Sequence, residues 1–377
     1  MKTNRFLKPL LLTAAILVMA AFAFTSVAQA WECTPIPPPV LWSPMPVKMT
    51  DTTKYKKAPP WTIGFCNASI SNSWRVLMER EVYYEAKRYP DLIKQLYVTD
   101  ANDDPNKQIS DMEDLVAKGC DLIILSAATM AALAPITDRV MKEGIPVILV
   151  DRIVATDNYV SYITASNAVQ ARVYMQWLCE YLKGQGNIVM LSGIAGAGPA
   201  EERLVPVRQE VLPRFPGIKV LAHEYTDWSP ATGKKVQAAL IQKYGKEIQG
   251  VWCDSGLQAA GSVEAFVEAG LPVPPHTGED HNGFMKLVKK HNVPACICAY
   301  PVHQGAEAVR VAINVLQGIP VPYQNEVNRL ISVTPGDDTC SVKAIVPFEQ
   351  AVRPDLPDDW QVDNTLPEEY VNQRKMK

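Results

Sequence analysis

The chain has 377 residues and a formal net charge of −3. That length is too great for one compact core and suits two domains. The slightly acidic balance argues against a nucleic-acid binder, which presents a basic face, and the eight cysteines follow no regular disulfide framework.

Lys2, Arg5 and Lys8 precede an apolar run from Leu10 to Phe24, and "SVAQA" ends the segment with small residues. A basic start, an apolar middle and an Ala28–x–Ala30 cleavage site predict a signal peptide over residues 1–30, with the mature chain soluble and exported. A membrane anchor is the runner-up, but the run is short of the roughly 20 residues a spanning helix needs. A lipid anchor on Cys33 is disfavoured by Trp31 and Glu32, where such signals place small residues. Residues 31–60 are rich in proline ("PIPPP", "SPMP") and read as an extended N-terminal segment.

From Trp61 onward, apolar runs alternate with amphipathic stretches. "WTIGFC", "LIKQLYVTD", "CDLIILS" and "IPVILVD" read as strands, separated by helices over "WRVLMEREVYYEAKRY", "PNKQISDMEDLVAKG" and "MAALAPITDRVMKEG". Pro135 belongs in the first turn of its helix or kinks it. The alternation restarts with a helix over "NAVQARVYMQWLCEYLKG". Strands then follow at "NIVMLSG", "IKVLAHEY", "IQGVWCD", "HTGED" and "ACICAY", and a long helix at "HQGAEAVRVAINVLQG". Continuous apolar strands are the mark of parallel sheets covered on both faces by helices. The expectation is α/β: two similar lobes, each a parallel sheet flanked by helices, with crossings near Thr164–Asn167 and Ala299–Pro301. The lobes are placed at 61–165 plus 300–329 and at 166–299 plus 330–350, with a polar tail over 351–377.

Cys66, Cys120, Cys179 and Cys253 lie in or beside apolar runs and read as buried free thiols. Cys33 and Cys340, near the two chain ends, are candidates for a bridge. Cys296 and Cys298 share a strand face, but no nearby histidines complete a metal set.

Ligands of open parallel sheets bind beyond the carboxyl ends of the strands. The first strand here leads to Asn72, Trp74 and Arg75, the third to Ser126, and the fourth to Asp151 and Arg152. Asn167 starts the next helix. In the second lobe the strand ends supply Arg203, Trp228, Ser255, and Glu279 with Asp280. Carboxylates accept hydrogen bonds, guanidinium groups donate them in a fixed fork, and tryptophan adds a flat apolar face. That set suits a ligand with hydroxyls at its edge and C–H groups on its faces, a sugar or polyol. Structural alternatives stand beside it: an Asp151–Arg152 ion pair, Trp74 and Trp228 as packing, Arg75 on a solvated helix face, and Arg203 paired with Glu201 or Glu202.

Enzymatic readings find little support. "GIAGAG" does not have G-x-G-x-x-G spacing and there is no Walker lysine. No G-x-S-x-G elbow occurs, and the five histidines show no ligand spacing. Paired carboxylates of a glycosidase remain the enzymatic alternative.

"IGFCNASISNSWR", "IPVILVDR" and "GIAGAGPAEER" together resemble the periplasmic sugar-binding proteins of ABC importers, ribose-binding type, over roughly Thr62 to Ser332. The resemblance implies two Rossmann-like lobes joined by three crossings, a ligand cleft between them and a hinge that closes on the sugar. It carries sugar contacts onto Asp151, Arg152, Asn72, Trp74, Asn167, Arg203, Trp228 and Asp280, with Ser126 where ribose binders place Asn. Ala68, Ser255 and Ala299 depart from the ribose pattern, and Arg75 and Glu279 replace aromatic rings. "SWR" instead resembles galactofuranose binders. The implied function is capture of a sugar or polyol by a monomer and delivery to ABC permease subunits, without catalysis, cofactor, metal or nucleic acid. A ligand-sensing module serving a chemoreceptor or sensor kinase is the alternative.

Overall fold

The computed structural model describes residue 32 and residues 48–327 and 331–367. The expected signal peptide, most of the proline-rich stretch and Cys33 lie outside the described residues. A two-residue strand, β1 (Met49–Thr50), leads into the first lobe. Strands β2 (Trp61–Asn67), β3 (Ile93–Asp100), β4 (Leu122–Ser126), β5 (Val147–Val150) and β6 (Ser161–Thr164) run parallel. Helices α1 (Ser73–Lys87), α2 (Pro105–Ala117) and α3 (Met130–Lys142) alternate with the first four of them. Every residue of β2, β4 and β5 is buried, as expected for strands covered on both faces. β3 is an edge strand and half exposed, which is why "LIKQLYVTD" carries polar residues.

The second lobe repeats the plan. Helices α4 (Asn167–Tyr181), α5 (Gly198–Pro206), α6 (Pro230–Tyr244), α7 (Gly256–Glu268) and α8 (Asn282–His291) alternate with parallel strands β7 (Gln185–Ser192), β8 (Gly217–Tyr225), β9 (Gly250–Cys253), β10 (His276–Gly278) and β11 (Ala295–Cys298). Helix α9 (Gln304–Gln317) then returns to pack on α1. Three short strands follow: β12 (Val321–Pro322), antiparallel to β1, β13 (Gln324–Glu326), parallel to β6, and β14 (Ile331–Val333), antiparallel to β11. The two six-stranded sheets have orders β3-β2-β4-β5-β6-β13 and β8-β7-β9-β10-β11-β14. The chain passes between them from β6 to α4, from β11 to α9 and from β13 to β14, giving the three-stranded hinge the resemblance implied.

Helix starts follow local chemistry. Asp104 caps α2 by accepting from the amides of Asn106 and Lys107, with Pro105 at the first helical position, where its missing N–H costs nothing. Proline also shapes two helices. Pro135 sits in the second turn of α3 rather than the first. The prolines of "PAEERLVPVRQEVLPRF" predict a helix disturbed in its middle, and α5 gives way at Pro206 to a π-turn at Val207–Val211 and a 3₁₀ turn at Leu212–Arg214, because proline has no amide to continue the ladder. β6 and β12 to β14 were not anticipated, since none is a long apolar run. Six cysteines (66, 120, 179, 253, 296 and 298) are buried and outside any disulfide, and Cys340 is disulfide-bonded.

Residues 334–367, which follow β14, do not trail into solvent. A short helix, α10 (Phe348–Ala351), packs on the second lobe, and the chain then crosses the start of α8. Asn282 anchors it: its Nδ2 donates to the carbonyls of Arg353 (2.7 Å), Leu356 (3.1 Å) and Pro357 (3.0 Å), and its Oδ1 accepts from the Arg353 amide at 3.1 Å. The amides of Asn282 and Gly283 donate to the carbonyls of Trp360 and Asp358, at 2.9 and 2.8 Å. Further on, the amide and hydroxyl of Thr365 donate to the Glu81 carboxylate on α1, both at 2.6 Å. The Trp360 and Leu366 side chains join the apolar cluster that holds Trp61 and Leu77 of the first lobe. This strap therefore links the second lobe to the first. Among the described residues no helix is long and apolar enough to cross a membrane.

Candidate functional site

The carboxyl ends of both sheets face one cleft. Asp151 follows β5 in the left-handed region (φ 63°), a conformation that short polar side chains tolerate better than most. Its own carbonyl accepts from the Tyr162 hydroxyl at 2.8 Å. The closest cation to its carboxylate is Arg75, not Arg152: Arg75 Nη1 lies 2.6 Å from Asp151 Oδ2, whereas Arg152 Nε lies at 3.8 Å. Arg152 reaches outward to Asp103 at 3.1 Å. The simple ion pair between sequence neighbours is thus replaced by a chain of charges linking three loops.

Arg75 is buried, contrary to a solvated helix position. Its Nη1 also donates to the Ser126 hydroxyl (3.0 Å), its Nε to the Ser69 carbonyl (3.1 Å) and its Nη2 to Asn67. Burial lowers the Arg75 guanidinium to about 10, helped by the charge of Arg152 and opposed by Asp151. Asn72 caps α1 by accepting from the Arg75 amide at 3.0 Å. Trp74 donates from Nε1 to the Tyr300 carbonyl at 2.7 Å, which ties the first lobe to the β11–α9 crossing.

From the second lobe, Arg203 Nε donates to Asn167 Oδ1 and its Nη1 to the Asp254 carbonyl, both at 3.0 Å. Its hydrogen bonds therefore go to Asn167 and Asp254 rather than to its neighbours Glu201 and Glu202. Trp228 donates from Nε1 to Asp254 Oδ1 at 3.1 Å and lies flat on Gly193, where a Cβ would fall 1.8 Å from the indole. Asp227 and Trp228 both have positive φ, 56° and 48°, so the loop is strained to present that ring. Ser255 caps α7 and donates to Glu279 at 2.7 Å. Burial lifts the Glu279 carboxyl to about 8, against the opposing pull of Arg203 and Ser255. Burial likewise lifts Glu202, which receives a bond from Asn167, to about 7.

Each guanidinium lies over one ring: Arg75 near Trp74 at 5.9 Å, Arg152 over Trp228 at 5.3 Å, and Arg203 over Tyr300 at 4.6 Å. The Arg152–Trp228 contact spans the two lobes. The resulting inner cavity is lined by nine of the twelve sequence candidates: Asn72, Trp74, Arg75, Asp151, Arg152, Arg203, Trp228, Ser255 and Glu279. The other three stand behind it. Ser126 supports Arg75, and Asn167 orients Arg203. Asp280 does not face the cavity as an acceptor, because its two oxygens accept from the amides of Tyr300 (3.2 Å) and Asp363 (2.6 Å).

Three lining residues were not among the candidates: Tyr300, Pro199 and Leu257. Tyr300 is the most consequential, donating its hydroxyl to Asp151 Oδ1 at 3.1 Å while its ring lies 5.4 Å from Trp74. The strand-end rule applied to "ACICAY" would have found it. A second, outer cavity of about 880 Å³ adjoins the first, and Asn72, Trp228 and Leu257 line both. Pro357, Asp359 and Trp360 of the strap form part of its wall.

Two hinged α/β lobes with polar and aromatic strand ends converging on one cleft define a bilobal small-molecule binding protein. A family profile described as "Periplasmic binding protein domain" matches residues 63–320, and the chain belongs to that family. It is similar to the galactofuranose-binding protein YtfQ of Escherichia coli (strain K12), 27% identical over 57% of this chain and 68% of the relative. It is similar also to the ribose import binding protein RbsB of Haemophilus influenzae, 26% identical over 68% of this chain and 86% of the relative. Among solved structures, the fructose binding periplasmic domain of a hybrid two component system superposes with a TM-score of 0.68 and 28% identity, covering 74% of this chain and 92% of that one.

Proposed function

We propose that the protein is a periplasmic solute-binding protein that captures a sugar or polyol between its lobes and delivers it to an ABC importer. The observation that carries this reading is the pairing of three buried guanidinium groups with three aromatic rings around Asp151 and Glu279, contributed by both lobes. Such a set donates to and accepts from hydroxyls while offering flat faces to C–H groups, and hydrogen bonds to charged partners contribute about 1.5–3 kcal/mol each. As the lobes stand, the inner cavity is about 30 Å³, room for roughly two waters. A sugar ring therefore enters with the lobes further apart and is enclosed as they close. The protein acts as an exported monomer, and its partners are the ligand and the membrane permease.

A thermal-shift screen against pentoses, hexoses, furanoses, polyols and cyclitols tests the reading. A bound ligand raises the melting temperature by linkage, about 2.7 kcal/mol of stabilisation at a hundredfold excess over Kd. Asp151→Ala abolishes the shift if the inner cavity is the site; an unchanged shift sinks it. The likeness to a periplasmic domain of a hybrid two component system favours a second reading, a sensory module. Co-purification with a receptor rather than a permease would select it.

A further inference from the structure

We infer that the strap from Arg353 to Leu366 gives the cleft a second compartment, and that the ligand is a sugar carrying an uncharged glycosidic substituent rather than a free monosaccharide. This rests on the sugar-binding reading of the inner cavity. The two cavities differ sharply in volume. The inner one is about 30 Å³, while the outer one, bounded by both lobes and the strap, is about 880 Å³. That volume falls within the range of pockets that enclose whole small-molecule ligands, about 300–1,000 Å³. Closure over the inner ring thus leaves space for a further ring, and Trp228 stands at the junction.

The outer wall is built, not incidental. Asn282 commits its whole side-chain amide to holding the strap, Asp280 accepts from the Asp363 amide, and Glu81 accepts twice from Thr365. Trp360 is buried among apolar residues of the first lobe while its carbonyl accepts from the Asn282 amide in the second. The strap lies beyond residue 320, where the family match ends.

The lining indicates the substituent's chemistry. Ile70, Val76 and Leu77 supply apolar surface, and Asp227, Asp359 and Arg80 supply polar groups. Asp103 also lines the compartment but is paired with Arg152. Burial pushes the His281 imidazole down to about 4, so it is neutral near pH 7. Two carboxylates against one guanidinium disfavour an anionic group such as a phosphate or uronate, and the mixed surface suits a second sugar ring.

The test is calorimetric titration of the full mature chain with D-ribose, D-galactose, L-arabinose and D-fructose, and with their methyl glycosides, disaccharides and phosphates. The inference requires at least one disaccharide or glycoside to bind tenfold or more tightly than its parent sugar, with the phosphate weaker than both. Asp359→Ala and Trp360→Ala then bring the ratio of the two affinities down towards one, while Asp151→Ala weakens both ligands together. Asp359 is exposed, so its variant stands as the test if Trp360→Ala does not fold. Parent sugars binding as tightly as their glycosides, or variants that leave the ratio unchanged, overturn the second compartment and spare the sugar-binding reading. Failure of every compound in this set, and of every compound in the thermal-shift screen, removes both.

Discussion

Replacing Gly193 with Ala is a one-carbon change that should dismantle one jaw of the site. A Cβ there would lie 1.8 Å from Cε2, 2.2 Å from Cδ2 and 2.3 Å from Nε1 of Trp228. Carbon atoms rest about 3.5–4.0 Å apart, so the indole must retreat by roughly 1.7 Å or the strand end must shift. Retreat stretches the 3.1 Å bond from Trp228 Nε1 to Asp254 beyond hydrogen-bond range and disturbs the ring's contact with Arg152. Loss of a bond to a buried charged group costs about 1.5–3 kcal/mol. If the ring contacts the ligand, its misplacement lowers affinity by a comparable amount, roughly 10- to 150-fold. Calorimetry with any ligand found in the screen, alongside thermal melts, reads both effects. An unchanged Kd together with an unchanged melting temperature would refute the reasoning, because the ring would then not be seated on Gly193.

Three further outcomes follow from the geometry. The folded Glu279 carboxyl lies near 8 against an ordinary value of 4.5, so the native state holds its proton more tightly and stability falls as pH rises from about 4.5 through 8. Glu279→Gln should flatten that fall and melt above wild type at pH 9; parallel pH–melting curves would rule it out. Asn282→Ala removes the anchor of the strap, costs about 2–4 kcal/mol through several lost bonds and stranded carbonyls, and should speed proteolytic cleavage after Arg353. Tyr300→Phe removes the hydroxyl that meets Asp151 but keeps the ring beneath Arg203, so affinity should drop about 2- to 10-fold. Tyr300→Ala should exceed that loss; equal losses would mean the ring contributes nothing.

Much of the site was legible because parallel sheets deliver their polar residues to one edge, and Asp151, Arg203 and Trp228 each follow an apolar run. Which groups pair was not legible. Arg75 reaches Asp151 across 76 positions, a contact fixed by the packing of α1 against the sheet and by nothing in the local sequence. Asp280 shows the opposite failure: its position was anticipated, but its oxygens are taken by amides of the β11–α9 crossing and the strap. The strap itself has no periodicity to read. Its order comes from hydrogen bonds between its backbone and the side chains of Asn282, Asp280 and Glu81, none of which marks itself in sequence. β6 was missed because "SYIT" is short and mixed, and is recognisable as a strand only once β5 lies beside it.

The late position of the closing elements has a consequence for how the molecule assembles. β13 completes the first sheet, β14 the second, and the strap fastens one lobe to the other, yet all three follow residue 320. A growing chain emerges N-terminus first, so β6 and β11 wait without their last neighbours, β13 and β14, until residues beyond 320 are free. A chain cut short near residue 300 would lack the sixth strand of both sheets and so would carry no finished lobe. The order of segments makes completion of the two lobes a single, terminal event.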